Sequence, residues 1–229
     1  MAERVIETIV TADGSHTLYI PEMDEHYHSV HGAIQESTHV FINHGLRASQ
    51  AESLSILEIG FGTGLNALLS LVESMRTGRE ILYTSLELYP LSLELMEKLN
   101  YAELLSLSSD EAQAWQMVCQ APWSSLEGEY TVVSPTFSIR KIECDFTKFD
   151  FTGSYNLVYF DAFAPDKQPE MWSQTLFDAI GKATVEGGIL TTYCAKGVVR
   201  RELMAAGYVM ERLPGPPGKR QMLRGVMSR

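Results

Sequence analysis

The sequence predicts a Rossmann-like α/β fold. The expected sheet is doubly wound and mostly parallel with an antiparallel last strand, and a small N-terminal hairpin and helix precede it. Three observations carry this. From Leu54 onward short apolar runs alternate with amphipathic stretches, the order of a parallel sheet flanked by helices. A glycine turn, Gly60-Phe61-Gly62-Thr63-Gly64, directly follows the first run and opens a helical stretch. The second run ends on Glu87, 23 residues past Gly64, where a strand tip brings a carboxylate to the same edge.

The elements follow in order. Residues 5–20 read as two short strands turning at Asp13-Gly14, a favoured hairpin pair. Next, Val30, Ala33, Ile34, Ser37, Val40 and Phe41 recur at helical spacing, and Gly45 stands where a glycine closes a helix. Residues 1–50 are thus expected to form an extension, and 51–229 the core, as one structural unit. Residues 53–59 read as a buried parallel strand, 60–75 as turn and helix, and 81–87 as the second strand. A helix over 90–100 has Pro90 in its first turn, and 101–128 read as a helical, irregular insertion. A hairpin or a strand pair is expected around Ser134-Pro135, and 154–163 form a strand running into a loop. One helix is expected over 169–183, a strand over 187–194, a helix over 195–207 and a closing antiparallel pair from 208 to 228.

A chain of 229 residues with 45% hydrophobic and 21% charged residues has the composition of a globular protein with a real core. No apolar run reaches bilayer length and the first ten residues do not read as a signal sequence, so the expected location is the cytoplasm. Cys119, Cys144 and Cys194 lie far apart without ligand spacing, which predicts reduced structural thiols and no metal. The net charge of −11 speaks against a nucleic-acid partner until its distribution is considered. Residues 191–229 hold eight Lys/Arg, among them Lys196, Arg200, Arg201, Lys219 and Arg220, against Glu202 and Glu211, a net of +6 that leaves −17 for the rest. Such a segment can hold a phosphate backbone; a solvated helix face is the alternative reading.

The chemistry begins at the glycine turn. Its spacing is E-x-G-x-G-x-G from Glu58, not the G-x-G-x-x-G of dinucleotide sites, where a pyrophosphate meets a helix N-terminus. S-adenosylmethionine has no phosphate, and its amino-acid end fits a looser turn. A tight turn without a ligand is the alternative, and Glu87, able to accept from both ribose hydroxyls, weighs against it. Glu58, Phe61, Thr63 and Asn66 belong to the same turn and are assigned to the cofactor site with it. Asp145 follows a strand and either reaches the adenine amino group or caps the next segment. Asp161 ends the apolar run YNLVYF, so it should face the cleft, with Phe163 and Pro165 shaping the wall. Trp172 reads as core rather than as a base-stacking ring.

Methyl transfer from a sulfonium is an in-line displacement, so the protein must align the partners and keep the nucleophile unprotonated. An aliphatic amine is mostly ammonium near neutral pH, with a reference pKa of ~10.4. Asp161 can attract it, orient it and receive its proton. A carboxylate also stabilises the charged amine, so desolvation and repulsion from the sulfonium have to offset that attraction.

Five patches then resemble one family: EHYHSVHGAIQESTHVFINHGL, LEIGFGTGLNALL, SLELYPL, YFDAFAPDKQPEMW, and KGVVRRELMAAGY with GKRQML. They are similar to the methyltransferase half of the MnmC family, bifunctional tRNA enzymes that finish 5-methylaminomethyl-2-thiouridine at the wobble position, and the resemblance implies the Rossmann-like class I S-adenosylmethionine-dependent methyltransferase form of the fold. The resemblance implies that Gly60, Gly62 and Gly64 line the S-adenosylmethionine pocket, that Glu87 holds the ribose and that Asp145 sits beside the adenine. It implies Asp161 as the acid–base residue, segment 27–36 with Tyr27 and Glu36 beside the cofactor, and Arg200, Arg201, Lys219 and Arg220 toward RNA. Ala162 departs from the glycine common in that loop. No stretch resembles the FAD-dependent oxidase half, which implies a stand-alone enzyme acting on an aminomethyl uridine made elsewhere. Two other classes stay open: a small-molecule amine N-methyltransferase, which would act on free amines without binding tRNA, and a non-catalytic nucleoside-binding protein, against which Asp161 in its loop speaks. An NAD-dependent oxidoreductase is disfavoured by the glycine spacing.

Overall fold

In the computed structural model, which describes residues 5–125 and 128–228, the chain opens with a three-stranded antiparallel sheet of β1 (Glu7–Val10), β2 (His16–Ile20) and β3 (Glu25–His26). The Asp13-Gly14 turn joins the first two as expected. Gly14 takes a φ of 83°, and Asp13 Oδ1 accepts from the Thr11 hydroxyl and the Ser15 N–H. Helix α1 (Ala33–Ser37) passes into a π-helical stretch, Thr38–Asn43, and a 3₁₀ turn, Leu46–Ala48. This part departs from the sequence reading. Val30 precedes the helix and is exposed, and Gly45 has a φ of −105° rather than a left-handed closing conformation. A Cβ at Gly45 would lie 2.4 Å from the Phe41 carbonyl oxygen. Close backbone approach, not handedness, demands glycine there.

The main sheet grows from β4 (Leu54–Ile59), α2 (Leu65–Thr77) and β5 (Ile81–Glu87). Helices α3 (Leu93–Glu97), α4 (Tyr101–Leu104) and α5 (Ser109–Gln120) follow, then β6 (Trp123–Ser124), β7 (Thr131–Ser134) and β8 (Phe137–Glu143). The last half adds β9 (Tyr155–Phe160), α6 (Gln174–Ala183), β10 (Thr184–Thr192), α7 (Gly197–Ala205), β11 (Tyr208–Pro214) and β12 (Gln221–Met227). Strand order is β11-β12-β10-β9-β4-β5-β8-β6, with β7 paired to β8. Neighbours from β10 to β6 run parallel, β7 is antiparallel to β8, and β12 is antiparallel to both β10 and β11. This is the predicted doubly wound sheet with its antiparallel last strand.

Capping chemistry moved three boundaries. Ser92, whose hydroxyl accepts from the Leu95 N–H, starts α3 and leaves Pro90 outside it. The expected single helix over 169–183 is a 3₁₀ turn, Pro169–Trp172, followed by α6, because Ser173 turns extended and caps α6 with its own side chain. Residues 101–120 are helical as expected but more regular in their second half: α5 begins with a Ser108/Glu111 capping box, and its Trp115 and Val118 join the core. The expected insertion also spans 126–127, which lie outside the described residues.

Strand β4 explains the architecture. Leu54, Ile56, Leu57 and Ile59 are all buried, which requires cover on both faces. Ile56 packs with Leu68, Tyr83, Phe137, Trp115 and Phe41 on the side of α2 and α5. Leu57 and Ile59 pack with Phe160, Trp172, Phe177 and Leu203 on the side of α6 and α7. The chain moves from β4 outward to β5 on one side and returns at β9 on the other. That reversal opens a crevice at the carboxyl ends of β4 and β9.

Candidate active site

The crevice is shaped first by backbone. Gly60 has a φ of 89°, and a Cβ on it would sit 2.8 Å from the Asp161 carbonyl oxygen. Gly62 has a φ of 51°, and its Cβ would press on the Tyr27 ring at 3.0 Å. Glycine is therefore needed here both for handedness and for close approach. The Gly62 N–H donates to Glu87 Oε2 at 3.1 Å, and the Tyr89 N–H to Oε1 at 2.9 Å. The turn after β4 and the tip of β5 are thus one unit. Gly64 ends the turn as the cap of α2 and, unlike Gly60 and Gly62, does not line the cavity: it backs onto Phe61, Trp115 and Met96.

A cavity of about 430 Å³ opens beside this unit, a normal size for a small-molecule site. Gly60, Phe61, Gly62 and Glu87 form one wall, Asp161 and Phe163 another. The N-terminal segment brings Tyr27 and Glu36, with the Tyr27 ring edge-on to Phe163 at 5.1 Å. Leu88 and Phe146 supply apolar surface near the Glu87 end. Four carboxyl groups, from Glu25, Glu36, Glu87 and Asp161, face the space. Glycine cradle, strand-tip carboxylate and apolar edge suit a cationic nucleoside such as S-adenosylmethionine.

Asp161 is held at both ends. Its N–H donates to the Ile59 carbonyl at 3.0 Å, and its Oδ2 accepts from Asn66 Nδ2 at 2.8 Å. Burial pushes its carboxyl up to about 7, the Glu36 charge adds to that, and the Asn66 bond and Lys219 pull it down. Asn66 itself is buried, as are Glu58 and Thr63, so these three stand behind the cavity wall rather than in it. Glu58 accepts from the Ser85 hydroxyl at 2.6 Å, and burial, reinforced by Asp161, raises it to about 8. Thr63 bonds His28 Nε2 at 2.6 Å, and burial lowers that imidazole to about 4, so it braces the turn as a neutral ring.

Other sequence candidates separate. Asp145 engages Thr147 and Lys148 in a local turn, and Phe146 rather than Asp145 reaches the cavity. Ala162, Phe163 and Ala164 line the wall, whereas Pro165 does not. Trp172 is buried and donates from Nε1 to the Phe163 carbonyl at 2.8 Å, a core role as expected. Among the basic residues, Lys196 pairs with Asp166, and Arg201 and Arg220 are exposed with no ion pair among the described residues. Arg200 is half-buried nearby in sequence on α7. Lys219 is different: it lines the cavity, and its ammonium bonds Glu36. Sequence reasoning missed Tyr193, which sits one residue past β10 with its hydroxyl donating to the Ala162 carbonyl at 2.8 Å. The rule that ligands meet strand carboxyl ends would have found it.

Residues 112–228, just over half of the chain, match the family model described as S-adenosyl-L-methionine-dependent methyltransferase. The chain belongs to that family. Curated relatives extend the match to the glycine turn. The methyltransferase is 34% identical over 227 residues to the tRNA 5-methylaminomethyl-2-thiouridine biosynthesis bifunctional protein MnmC of Cupriavidus metallidurans, covering 94% of this chain and 33% of that protein. It is 33% identical over 228 residues to the protein of the same name from Magnetococcus marinus, covering 93% and 32%. The chain therefore spans about a third of the length of these relatives. Its fold matches the crystal structure of MnmC2 from Aquifex aeolicus with a TM-score of 0.74 at 24% identity, over 98% of this chain and 71% of that one. S-adenosyl-L-methionine is accordingly the cofactor of this methyltransferase, and the cavity fits it. No helix among the described residues is long and apolar enough to cross a membrane.

Proposed function

We propose that this methyltransferase N-methylates the 5-aminomethyl group of a tRNA wobble (2-thio)uridine. The observation that carries the reading is Asp161, a carboxyl group with a pKa of about 7, held by Asn66 at the tip of β9 and facing a cavity of acidic and aromatic walls. The names of the curated relatives supply the acceptor class. In this reading Gly60 and Gly62 hold the amino-acid end of the cofactor, Glu87 its ribose, and Phe146 the adenine side. Tyr27 and Phe163 close over the reacting end and limit water.

The cofactor, when bound, supplies a methyl group on a sulfonium whose sulfur leaves as a neutral thioether. Asp161 attracts the acceptor ammonium, takes one of its protons before or during transfer, and so leaves a lone pair on nitrogen for the new N–C bond. A carboxyl group near pH 7 suits that exchange better than an ordinary carboxylate, because proton acceptance is closer to balance. The same burial that raises Asp161 also disfavours the charged amine, which supplies the desolvation that such an enzyme requires. Arg200, Arg201, Arg220 and Lys196 form the RNA-facing set, contacting phosphates while the acidic body repels non-specific binding.

The test combines purified protein, labelled S-adenosylmethionine and tRNA carrying 5-aminomethyluridine, followed by nucleoside analysis. The expected product is 5-methylaminomethyluridine at the wobble position. Label entering free amines but not that tRNA would replace this reading with a small-molecule N-methyltransferase.

A further inference from the structure

Lys219 is the only Lys or Arg among the described residues that line the cavity, against the four carboxyl groups there. Its position is built by several contacts. The loop joining β11 and β12 packs on the N-terminal segment, where His39 Nε2 bonds the Pro214 carbonyl at 2.9 Å and the His31 ring lies directly against Gly218. Lys219 then turns inward. Its ammonium bonds Glu36 Oε1 and stands 3.9 Å from the centre of the Tyr193 ring. Glu36 is only 6% exposed and is fixed from the other side by the Ser29 N–H on Oε2 at 2.8 Å.

Charge matching narrows the role. S-adenosylmethionine carries a sulfonium, an α-ammonium and a single anionic group, the α-carboxylate. Its two cationic groups therefore find partners in the carboxyl-rich wall, whereas Lys219 is the one Lys or Arg in the described lining that can pair with the α-carboxylate. An ammonium has three N–H donors; one serves Glu36 and the Tyr193 face takes up the charge on another side, leaving a donor for a ligand. A phosphate of bound RNA at the same atom would share the cavity with four carboxyl groups. We propose that Lys219 anchors the α-carboxylate of the cofactor, with Glu36 and Tyr193 holding the lysine in place. The proposal rests on the cofactor reading of the cavity and is independent of the methyl acceptor.

Calorimetry with two probes isolates the contact. S-adenosylhomocysteine carries the amino-acid end, and methylthioadenosine has the same nucleoside and thioether without it. Lys219→Met should weaken S-adenosylhomocysteine by roughly 10- to 100-fold, the range for a lost charge-assisted hydrogen bond. Methylthioadenosine should stay within about twofold, because its binding never used the lysine. Lys219→Gln, which leaves Glu36 a hydrogen-bond partner, should give the same pattern, and Lys219→Arg should recover most of the affinity. Unchanged S-adenosylhomocysteine affinity overturns the anchor, and so does a parallel loss for both probes, which would mark Lys219 as a packing residue. Wild-type protein that binds neither probe would overturn the anchor together with the cavity reading, which a failed acceptor assay alone would not.

Discussion

Glu58 and Asp161 stand on either side of the Asn66 amide, which donates to Asp161 and lies against Glu58. Burial raises both carboxyl groups, to about 8 and about 7, but only Asp161 faces the cavity. Glu58 Oε1, Asn66 Oδ1 and the Tyr83 hydroxyl are buried without a hydrogen-bond partner among the described residues. A proton kept on Glu58 lets this cluster stay neutral and leaves Asp161 as the one carboxyl group that ionises first. The consequence for stability has a definite sign. The folded pKa of Glu58 lies above its ordinary value of 4.5, so the native state binds more protons across the window from there to about 8, and stability falls as pH rises through it. Glu58→Gln copies the protonated acid. It is expected to match wild type near pH 4.5 and to melt several degrees higher than wild type at pH 9, where the buried carboxylate destabilises wild type and the amide does not. Equal melting curves at both pH values would show that Glu58 is already ionised in the native state.

At the scale of elements, the site is an agreement among strand ends. The turn after β4, the tip of β5 and the tip of β9 meet because Gly62 bonds Glu87 and Asp161 bonds Ile59. This much was legible in the sequence. A parallel strand buried on both faces leaves a continuous apolar run, and topology fixes where its last residue points. The placement of Glu87 and Asp161 at the edge of the cavity could therefore be read from the sequence. What the sequence hid was of two kinds. Local capping set the starts of α3 and α6, where Ser92 and Ser173 each compete with a nearby proline turn. Long-range packing decided the rest: Lys219 reads as one more basic residue beside Arg220, yet the loop before β12 docks on His31 and His39 and turns it into the cavity. Similarly, no period in the sequence marks the π-helical stretch Thr38–Asn43 that follows buried Glu36.

For the whole molecule, charge divides the work. A body with a net of −17 carries a C-terminal segment of +6, and exposed Arg201 and Arg220 there lack ion pairs among the described residues. Replacing Arg200, Arg201 and Arg220 together by Gln should weaken tRNA binding and flatten its log–log salt slope by roughly 0.7–0.9 per lost phosphate contact. Cofactor affinity, read by calorimetry, should hold. A wild-type slope in the triple variant would assign those residues to solvent and the RNA interface to another face. The central claim is that Asp161 takes the proton from the amine that is methylated. Its most direct measurement is the single-turnover rate of methyl transfer to aminomethyluridine tRNA across pH, for wild type and Asp161→Asn, which separates chemistry from product release. Because Asp161 must be ionised to accept a proton, the wild-type rate should rise with pH through an apparent pKa at or below about 7. Asp161→Asn should lose that limb and about 10²–10⁴-fold in rate at neutral pH, with partial recovery at high pH, where more of the amine is already neutral. An Asn variant that methylates at a near-normal single-turnover rate at neutral pH would contradict the account.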